Sequence, residues 1–231
     1  MADLQSNIMA GKRGLIMGVA NKNSIAYGIA RMLHAHGAEL AFTHQGAAFG
    51  KRVAPLAAEL GSDILLDCDV EDIASVDAVF ETLKEKWGGL DFFVHAIGFS
   101  DKNELKGLYA DTSRENFSRT MGSSCFSFTE TAKRAAALMN EGGSMLTLTY
   151  GGASRVMPNY NVMGVAKAAL EASVRYLATD YGPQGIRVNA ISAGPVRTLA
   201  GAGVADARQM YNYQARNAPL RRTVTLDEIG G

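Results

Sequence analysis

The strongest constraint on the fold is a regular alternation of short apolar runs with longer amphipathic runs. The short runs predict six strands, at residues 13–19, 38–44, 63–70, 90–98, 143–150 and 186–194. The longer runs predict helices at residues 24–37, 49–61, 72–88, 114–140 and 160–181. Strands that alternate with helices build a parallel sheet covered on both faces, and right-handed crossovers make it doubly wound. We therefore expect one α/β domain over residues 1–231.

The last residues of the chain carry a signal for the start of a helix. Thr225 and Glu228 have the spacing of a capping box, yet only three residues follow Glu228. A helix that short is not stable by itself. The sequence therefore predicts a domain that is truncated before its last strand.

Composition excludes several classes of protein. The chain has 23 Lys and Arg against 23 Asp and Glu, so no overall charge attracts nucleic acid or an anionic membrane. Cys68 and Cys125 are far apart and form no CxxC motif, which argues against a disulfide framework or a zinc site. No apolar run is long enough to span a membrane, and no signal peptide is evident at the N-terminus. We expect a soluble cytoplasmic protein that binds no metal.

The turn after the first predicted strand, "MGVANKNSIAYG", is a candidate phosphate-binding site. Gly18 permits close approach of the backbone, while Ser24 and Ile25 open a helix whose first amide groups attract a pyrophosphate. We expect Ser24 to cap this helix and Gly37 to end it. The glycine fingerprint of dinucleotide-binding proteins is absent, so an ordinary strand–turn–helix connection is an equally good interpretation.

Residues at the ends of the next strands are candidates for contacts with a dinucleotide. Gln45 follows the second strand, where a residue is expected to meet the adenosine ribose. It is neutral, and Lys51 and Arg52 lie a few positions further on, so the residues alone leave NADH and NADPH both open. Three more candidates follow the third and fourth strands and would border the adenine and the cofactor cleft: Asp69, Val70 and Ile97.

The stretch "MPNYNVMGVAKAAL" places Tyr160 and Lys167 seven residues apart, which is nearly two helical turns. They therefore share one face of the predicted helix, at the ligand end of the fifth strand. A phenol is a weak acid unless a nearby cation lowers its pKa, and Lys167 is placed to supply that charge. Lys167 would also bind ribose hydroxyls, while Tyr160 would donate to a carbonyl oxygen. The alternative is an exposed lysine and a packed tyrosine.

Six stretches together resemble one family, the bacterial enoyl-acyl-carrier-protein reductases within the short-chain dehydrogenase/reductase superfamily. They are "GVANKNSIAYGIA", "GAELAFTHQG", "CDV", "VHAIGF", "PNYNVMGVAKAALEASVRYLA" and "GIRVNAISAGPVRTLAGAG". The resemblance implies a Rossmann-like fold and NADH-dependent reduction of the double bond of trans-2-enoyl thioesters in type II fatty-acid synthesis. It also implies that Tyr160 stabilises the enolate and that Lys167 holds the nicotinamide ribose.

The resemblance implies further site residues and partners. It assigns cofactor contacts to Gly18, Ser24, Ile25, Gln45, Asp69, Val70, Ile97, Val196, Arg197, Thr198, Leu199 and Ala200. It assigns substrate contacts to Tyr150, Tyr160 and Ser100, with Tyr150 as an additional catalytic residue. Residues 196–220 would form a mobile substrate-binding flap, the substrate would be carried by acyl carrier protein, and the protein would be a homotetramer.

Two questions stay open at this stage. Between Arg197 and Arg222 the chain has five arginines and one carboxylate, Asp206, which suggests a docking surface for the acidic carrier protein. Ion pairs within the chain or contacts between subunits explain the same excess. As to activity, the alternatives are a carbonyl reductase for 3-oxoacyl thioesters and a dinucleotide-binding protein without turnover.

Overall fold

The computed structural model describes residues 6–202 and 207–231. Six strands form one sheet, and every pairing between neighbouring strands is parallel. The strands are β1 (Arg13–Met17), β2 (Glu39–His44), β3 (Ile64–Asp67), β4 (Phe92–His95), β5 (Gly143–Thr149) and β6 (Ile186–Ser192). Their order across the sheet is β3-β2-β1-β4-β5-β6. The prediction of a doubly wound parallel sheet is therefore confirmed. Each predicted strand is present but shorter, and β3 and β4 have half the predicted length or less.

The strand order reverses between β1 and β4. The chain moves from β1 outward through β2 and β3, then returns to pair β4 with the other side of β1. In such sheets the crevice for a ligand lies outside the carboxyl ends of the strands at this reversal. The turns that follow β1 and β4 are therefore neighbours, and they open the candidate site.

Helices cover both faces of the sheet. They are α1 (Ile25–Ala35), α2 (Gly46–Glu59), α3 (Ile73–Trp87), α4 (Arg114–Met121), α5 (Ser127–Ala136), α6 (Asn161–Tyr181), α7 (Leu199–Ala202), α8 (Ala207–Asn217) and α9 (Leu226–Gly230). The predicted single helix over 114–140 is wrong in two respects. It is two α-helices joined by a π-helical turn, Gly122–Phe126, and it ends at Ala136. Pro55 lies inside α2.

The core consists of two apolar layers, one on each face of the sheet. Leu15 and Met17 of β1 face α3, α5 and α6, whereas Ile16 between them faces α1 and α2. All three side chains are fully buried. Successive residues of a strand point to opposite faces, so a strand covered on both faces is apolar throughout.

The short α9 is stabilised by contact with α1. Thr225 and Glu228 form the expected capping box, with the Thr225 hydroxyl accepting from the Glu228 N–H. An added Cβ on Gly28 of α1 would lie only 2.8 Å from Cβ of Leu226, so the two helices touch closely here. Arg31 also pairs with Asp227. Tertiary contact thus supports a helix that is too short to be stable alone.

A membrane-spanning element is not found in the part of the chain that the structure describes. None of the helices within residues 6–202 and 207–231 combines the length and the apolar character that crossing a bilayer requires.

Candidate active site

Two joined cavities open at the carboxyl ends of the strands. The turn cavity, of about 410 Å³, is lined by the β1–α1 turn and by residues after β2 and β3. The tyrosine cavity, of about 470 Å³, is lined by Tyr150, Tyr160 and Lys167. Both volumes suit a small organic ligand. The cavities share the residues Ile25, Ala96, Ile97, Gly98, Phe99, Leu148, Thr198 and Leu199.

The β1–α1 turn depends on Gly18. Its φ is +98°, and an added Cβ would lie 2.2 Å from the Ala96 carbonyl oxygen on β4's side of the crevice. Any other residue would be both strained and overlapped with the backbone. The wall of the turn cavity is consequently bare backbone at this point, which permits the close approach of a ligand.

Ser24 stabilises this turn in a way that differs from the prediction. Its hydroxyl oxygen accepts hydrogen bonds from the N–H groups of Ala20 and Asn21, at 3.0 and 3.1 Å, and does not cap the helix with its side chain. The hydroxyl therefore does not occupy the first backbone N–H groups of α1. Those of Ile25 and Ala26, which line the turn cavity, remain available to a ligand. Free amide groups at a helix N-terminus attract anions.

Among the described residues, no lysine, arginine, aspartate or glutamate lines the far end of the turn cavity. Gln45 and Val70 line it, as the sequence predicts, together with His44 and Phe49. Asp69 does not line this cavity. Its carboxylate accepts from the Glu71 N–H at 2.9 Å, and its own N–H donates to Ser75, so it orders the turn before α3.

The loop after β4, which contains Phe99 and Ser100 and is called the β4 loop below, is held against the π-helical turn. Ser124 accepts from the Phe99 N–H at 2.8 Å and lies 2.9 Å from the Phe99 carbonyl oxygen. Ser100 lines the tyrosine cavity and accepts a hydrogen bond from Thr120 at 2.9 Å. Ser124 and Thr120 were missed by sequence reasoning. Their signal is a run of small polar residues inside an otherwise ordinary helix pattern.

Lys167 lies deep in the tyrosine cavity. Only 8% of it is exposed, and Nζ donates to the Leu148 carbonyl oxygen at 2.8 Å. Burial lowers its pKa to about 8, and the neighbouring Cys125 opposes that shift. One of the three donors of Nζ is thus used by β5, and the other two remain to bind a ligand.

Tyr160 also lines the tyrosine cavity, but it precedes α6 as its N-cap residue. Burial raises its pKa, and the neighbouring Tyr150 raises it further. The expectation that Lys167 lowers the pKa of Tyr160 is therefore wrong in this structure. The phenol remains protonated at neutral pH, so it is a hydrogen-bond donor and not a base.

Tyr150 connects the two sides of the cavity. Its ring meets that of Tyr160 edge to face, with the ring centres 5.2 Å apart. Its hydroxyl donates to the sulfur of Met210 on α8 at 2.8 Å. Burial is the largest cause of its raised pKa. Together with Met157, Pro158 and Met163, Met210 gives this cavity an apolar lining that sequence reasoning missed.

The segment after β6 contributes only part of what the sequence predicts. Val196, Thr198 and Leu199 line the tyrosine cavity, but Arg197 does not, because its guanidinium lies over the Tyr211 ring at 5.6 Å. The side chain of the remaining candidate, Ala200, lies outside the described part of the chain, as does Asp206.

Part of the basic segment is paired internally. Arg222 forms an ion pair with Glu228, and Arg221 donates to the carbonyl oxygen of Arg216. Arg208 is exposed on the first turns of α8. The arginine excess is therefore partly explained by contacts within the chain.

Comparison with known proteins points to one family. A family model described as Enoyl-(Acyl carrier protein) reductase matches residues 18–231. The chain is 76% identical, over 97% of its length and 84% of the relative's, to "Enoyl-[acyl-carrier-protein] reductase [NADH] 2" of Rhizobium meliloti strain 1021.

Solved structures of enoyl-acyl-carrier-protein reductases also match this chain. The FabI of Candidatus Liberibacter asiaticus matches with a TM-score of 0.95 and 60% identity, over 97% of this chain and 87% of that one. The enoyl-(acyl-carrier-protein) reductase of Anaplasma phagocytophilum, solved in complex with NAD, matches with a TM-score of 0.93 and 58% identity, over 96% and 85%.

Proposed function

The chain belongs to the enoyl-(acyl carrier protein) reductase family, and we propose that its two joined cavities divide that family's reaction between cofactor and substrate. It is an NADH-dependent oxidoreductase of fatty-acid synthesis that reduces the double bond of enoyl groups carried by acyl carrier protein. The observation that carries the assignment of roles is that Tyr160 and Lys167 line a cavity continuous with the Gly18 turn.

The turn cavity fits a dinucleotide. Bare backbone at Gly18 and the open amide groups of Ile25 and Ala26 suit a pyrophosphate. Gln45 suits a ribose, and Val70 suits an adenine edge. Neither an arginine nor a lysine lines this cavity among the described residues, which agrees with NADH and does not favour the 2′-phosphate of NADPH. Asp69 has no direct contact with the cofactor in this proposal; it shapes the turn next to Val70.

The tyrosine cavity fits the reacting atoms. When bound there, the nicotinamide supplies a hydride to C3 of the enoyl thioester. Lys167, fixed by the Leu148 carbonyl, directs its remaining donors to the ribose hydroxyls. Tyr160 donates to the thioester carbonyl oxygen and stabilises the negative charge that develops there. The raised pKa of Tyr160 favours this role, because the phenol keeps its proton until it is needed.

The remaining walls of the tyrosine cavity receive the acyl chain. Tyr150 and Met210 border its outer side, and the apolar side chains of Met157, Pro158 and Met163 suit a hydrocarbon. Ser100 is hydrogen-bonded to Thr120, so it shapes the loop next to the substrate. Residues 196–220 act as the substrate-binding flap: Val196, Thr198 and Leu199 face the nicotinamide end, and Arg197 acts indirectly by packing on Tyr211.

The acidic carrier protein docks beside the mouth of this cavity, with Arg208 as a contact. Arg208 is exposed on α8, and Arg222, by contrast, is already paired with Glu228. Arg208→Glu should raise KM for an enoyl group on acyl carrier protein several-fold and leave KM for the same group on a pantetheine thioester unchanged. Equal effects on both substrates would contradict docking at this residue.

We also propose that the protein is a cytoplasmic homotetramer. One side of α6 packs on the sheet through Leu170, but Tyr176 on the same helix is 77% exposed. A subunit contact would cover that side. Light scattering on the purified protein tests the assembly, and a monomer at micromolar concentration would contradict it.

The experiment that tests the function follows NADH absorbance with a crotonyl thioester, in the protein and in its Tyr160→Phe variant. We expect oxidation of NADH with this substrate, and a loss of about 10² to 10⁴ in kcat in the variant. NADPH and an acetoacetyl thioester are run in parallel. Turnover of the acetoacetyl thioester alone would identify a carbonyl reductase instead, and NADH binding without turnover would identify a binding protein.

A further inference from the structure

A third cavity, the arginine cavity, lies beside the tyrosine cavity and has a volume of about 1010 Å³. It is bounded by the residues after β5, the residues after β6 and the helix α8. The two cavities share Tyr150, Met157, Pro158, Gly194, Pro195 and Met210. The contact between the Tyr150 hydroxyl and the Met210 sulfur therefore lies on their common boundary. An elongated ligand that reacts at Tyr160 can extend past this boundary into the arginine cavity.

The lining of the arginine cavity carries charge of one sign only. Arg155, in the loop before α6, and Arg216, in the last turn of α8, both line it, and no Asp or Glu does so among the described residues. Arg216 is also placed favourably, because the C-terminus of a helix attracts a cation. A cleft lined by one sign of charge concentrates ions of the opposite sign.

Five amide side chains of the cavity suit the same kind of ligand. They are the amides of Asn159, Gln209, Asn212, Gln214 and Asn217. Amide groups donate hydrogen bonds to anionic oxygens, and arginine forks bind phosphate oxygens in pairs. The tyrosine cavity next to it is lined mainly by apolar side chains. A ligand that fills both cavities thus has an apolar reacting end and an anionic group some distance from it.

We propose that the arginine cavity binds the phosphate of the phosphopantetheine arm that joins the enoyl thioester to its carrier, with Arg155 and Arg216 as the two cationic contacts. This inference rests on the proposed function, because the thioester at Tyr160 sets where the arm begins. It separates two interactions with the carrier: Arg208 contacts the protein surface, whereas Arg155 and Arg216 contact the arm.

Two matched substrates test the inference: the crotonyl thioesters of pantetheine and of 4′-phosphopantetheine, which differ only in the phosphate. At saturating NADH, the wild-type protein should use the phosphorylated substrate with a kcat/KM about tenfold higher. Arg155→Gln and Arg216→Gln should each reduce this preference about threefold, and the double variant should abolish it. The kcat/KM for the pantetheine substrate should stay constant, because its reacting end meets the same residues in every variant.

Two further variants serve as controls. Arg187→Gln removes an exposed arginine from β6 at the end of the sheet opposite the site, and it should retain the full preference. Arg216→Lys keeps a cation without the fork, and it should retain part of the preference. Inorganic phosphate, added at constant ionic strength, should inhibit turnover of the phosphorylated substrate in the wild type and not in the double variant.

Three results would overturn the inference. One is an equal kcat/KM for the two substrates in the wild type. Another is a preference that survives in the double variant. The third is a lower kcat/KM for the pantetheine substrate in that variant, which would indicate that the arginines act on the reacting end. Absence of NADH oxidation with both substrates contradicts the proposed function itself, and the inference falls with it.

Discussion

The turn, tyrosine and arginine cavities together have two walls that are held in different ways. The sheet wall consists of the β1–α1 turn, the residues after β4 and β5, and α6; Lys167 and Ser24 there are only 8% and 7% exposed. The outer wall consists of residues 194–202 and 207–217. Leu199 and Tyr213 of this wall are 48% and 69% exposed, although Tyr211 is buried.

The difference matches the tasks that we propose for the two walls. Hydride transfer requires the cofactor and the tyrosine to be held within a fraction of an ångström, and buried hydrogen-bonded groups provide that. Acyl chains of different length require a wall that adjusts. Segments with few buried apolar contacts open at low cost, as substrate-binding loops must. If this comparison holds, the same substitution should be more costly in the sheet wall than in the outer wall.

The largest difference is expected for two glycines with positive φ. Gly18→Ala should lower the free energy of unfolding by about 4 kcal/mol, because its Cβ would overlap the Ala96 carbonyl as well as strain the backbone. Gly194→Ala should cost about 1 kcal/mol, since φ is +74° there but nothing lies within 4 Å of the added Cβ. Urea unfolding of both variants measures the difference. Equal losses would contradict the comparison.

The next effect concerns pH. Burial holds the pKa of Lys167 at about 8 in the folded protein, against an ordinary value of 10.5. The window between these two values extends from about pH 8 to 10.5. Below it, the lysine is charged in both the folded and the unfolded protein, and its burial lowers the free energy of unfolding by the full amount. Within the window the folded protein has lost a proton that the unfolded chain still binds, so the unfavourable contribution shrinks as pH rises.

The test compares the wild type with Lys167→Met. The free energy of unfolding of the wild type, relative to the variant, should increase by up to about 3 kcal/mol as pH rises through this window. Unfolding curves at several pH values measure it. A relative stability that is constant with pH, or that falls, would show that Lys167 is not the buried cation described here. The described arginines of the outer wall, Arg197, Arg208 and Arg216, are all exposed.

Two methionines line the same cavity from opposite walls. Met163 on α6 is only 9% exposed and packs with Val162 and Leu105. Met163→Ala should cost about 2 kcal/mol of stability, because a buried cavity remains. Met210→Ala, on α8, should cost less than about 1 kcal/mol and raise KM for long acyl chains. Thermal unfolding and a series of chain lengths provide the measurements, and a reversed order of stability would contradict the comparison.

The smallest effect is expected for two hydroxyls that accept from backbone N–H groups. Ser24 accepts from Ala20 and Asn21 in the sheet wall, whereas Thr198 accepts from Gly201 in the outer wall. Ser24→Ala should cost about 1.5 kcal/mol and weaken NADH binding, since two half-buried N–H donors lose their partner. Thr198→Ala should cost about 0.5 kcal/mol. Calorimetry resolves the difference, and indistinguishable melting temperatures would argue that burial does not distinguish the walls.

The sequence predicts those features that depend on local pattern. The six strands follow from apolar runs, and the parallel order follows from the helices between them. Tyr160 and Lys167 do line one cavity, as their spacing predicts, although Tyr160 lies at the start of α6 and not within it. Gly18 is found at the turn where only glycine fits. Apart from the close approach of Ala96 to Gly18, these features depend on residues close together in the chain.

What the sequence does not predict depends on partners far along the chain. Arg197 turns away from the cavity because Tyr211, fourteen positions later, offers its ring. The pKa of Tyr160 rises because distant segments bury it and Tyr150 lies beside it. Asp69 is used by the turn before α3. Spacing alone cannot indicate which of several neighbours a side chain will meet after folding.

The π-helical turn at Gly122–Phe126 changes the rotational phase of a helical run that would otherwise be continuous. A π turn holds about one residue more than an α turn, so the residues after it point in directions shifted by that surplus. Asn116 and Thr120 before it face the β4 loop, and Phe128 and Ala132 after it face the core. One helical run can therefore contact both the loop after β4 and the core. The extra residue of the π turn rotates the second half relative to the first, so that each half faces its own neighbour.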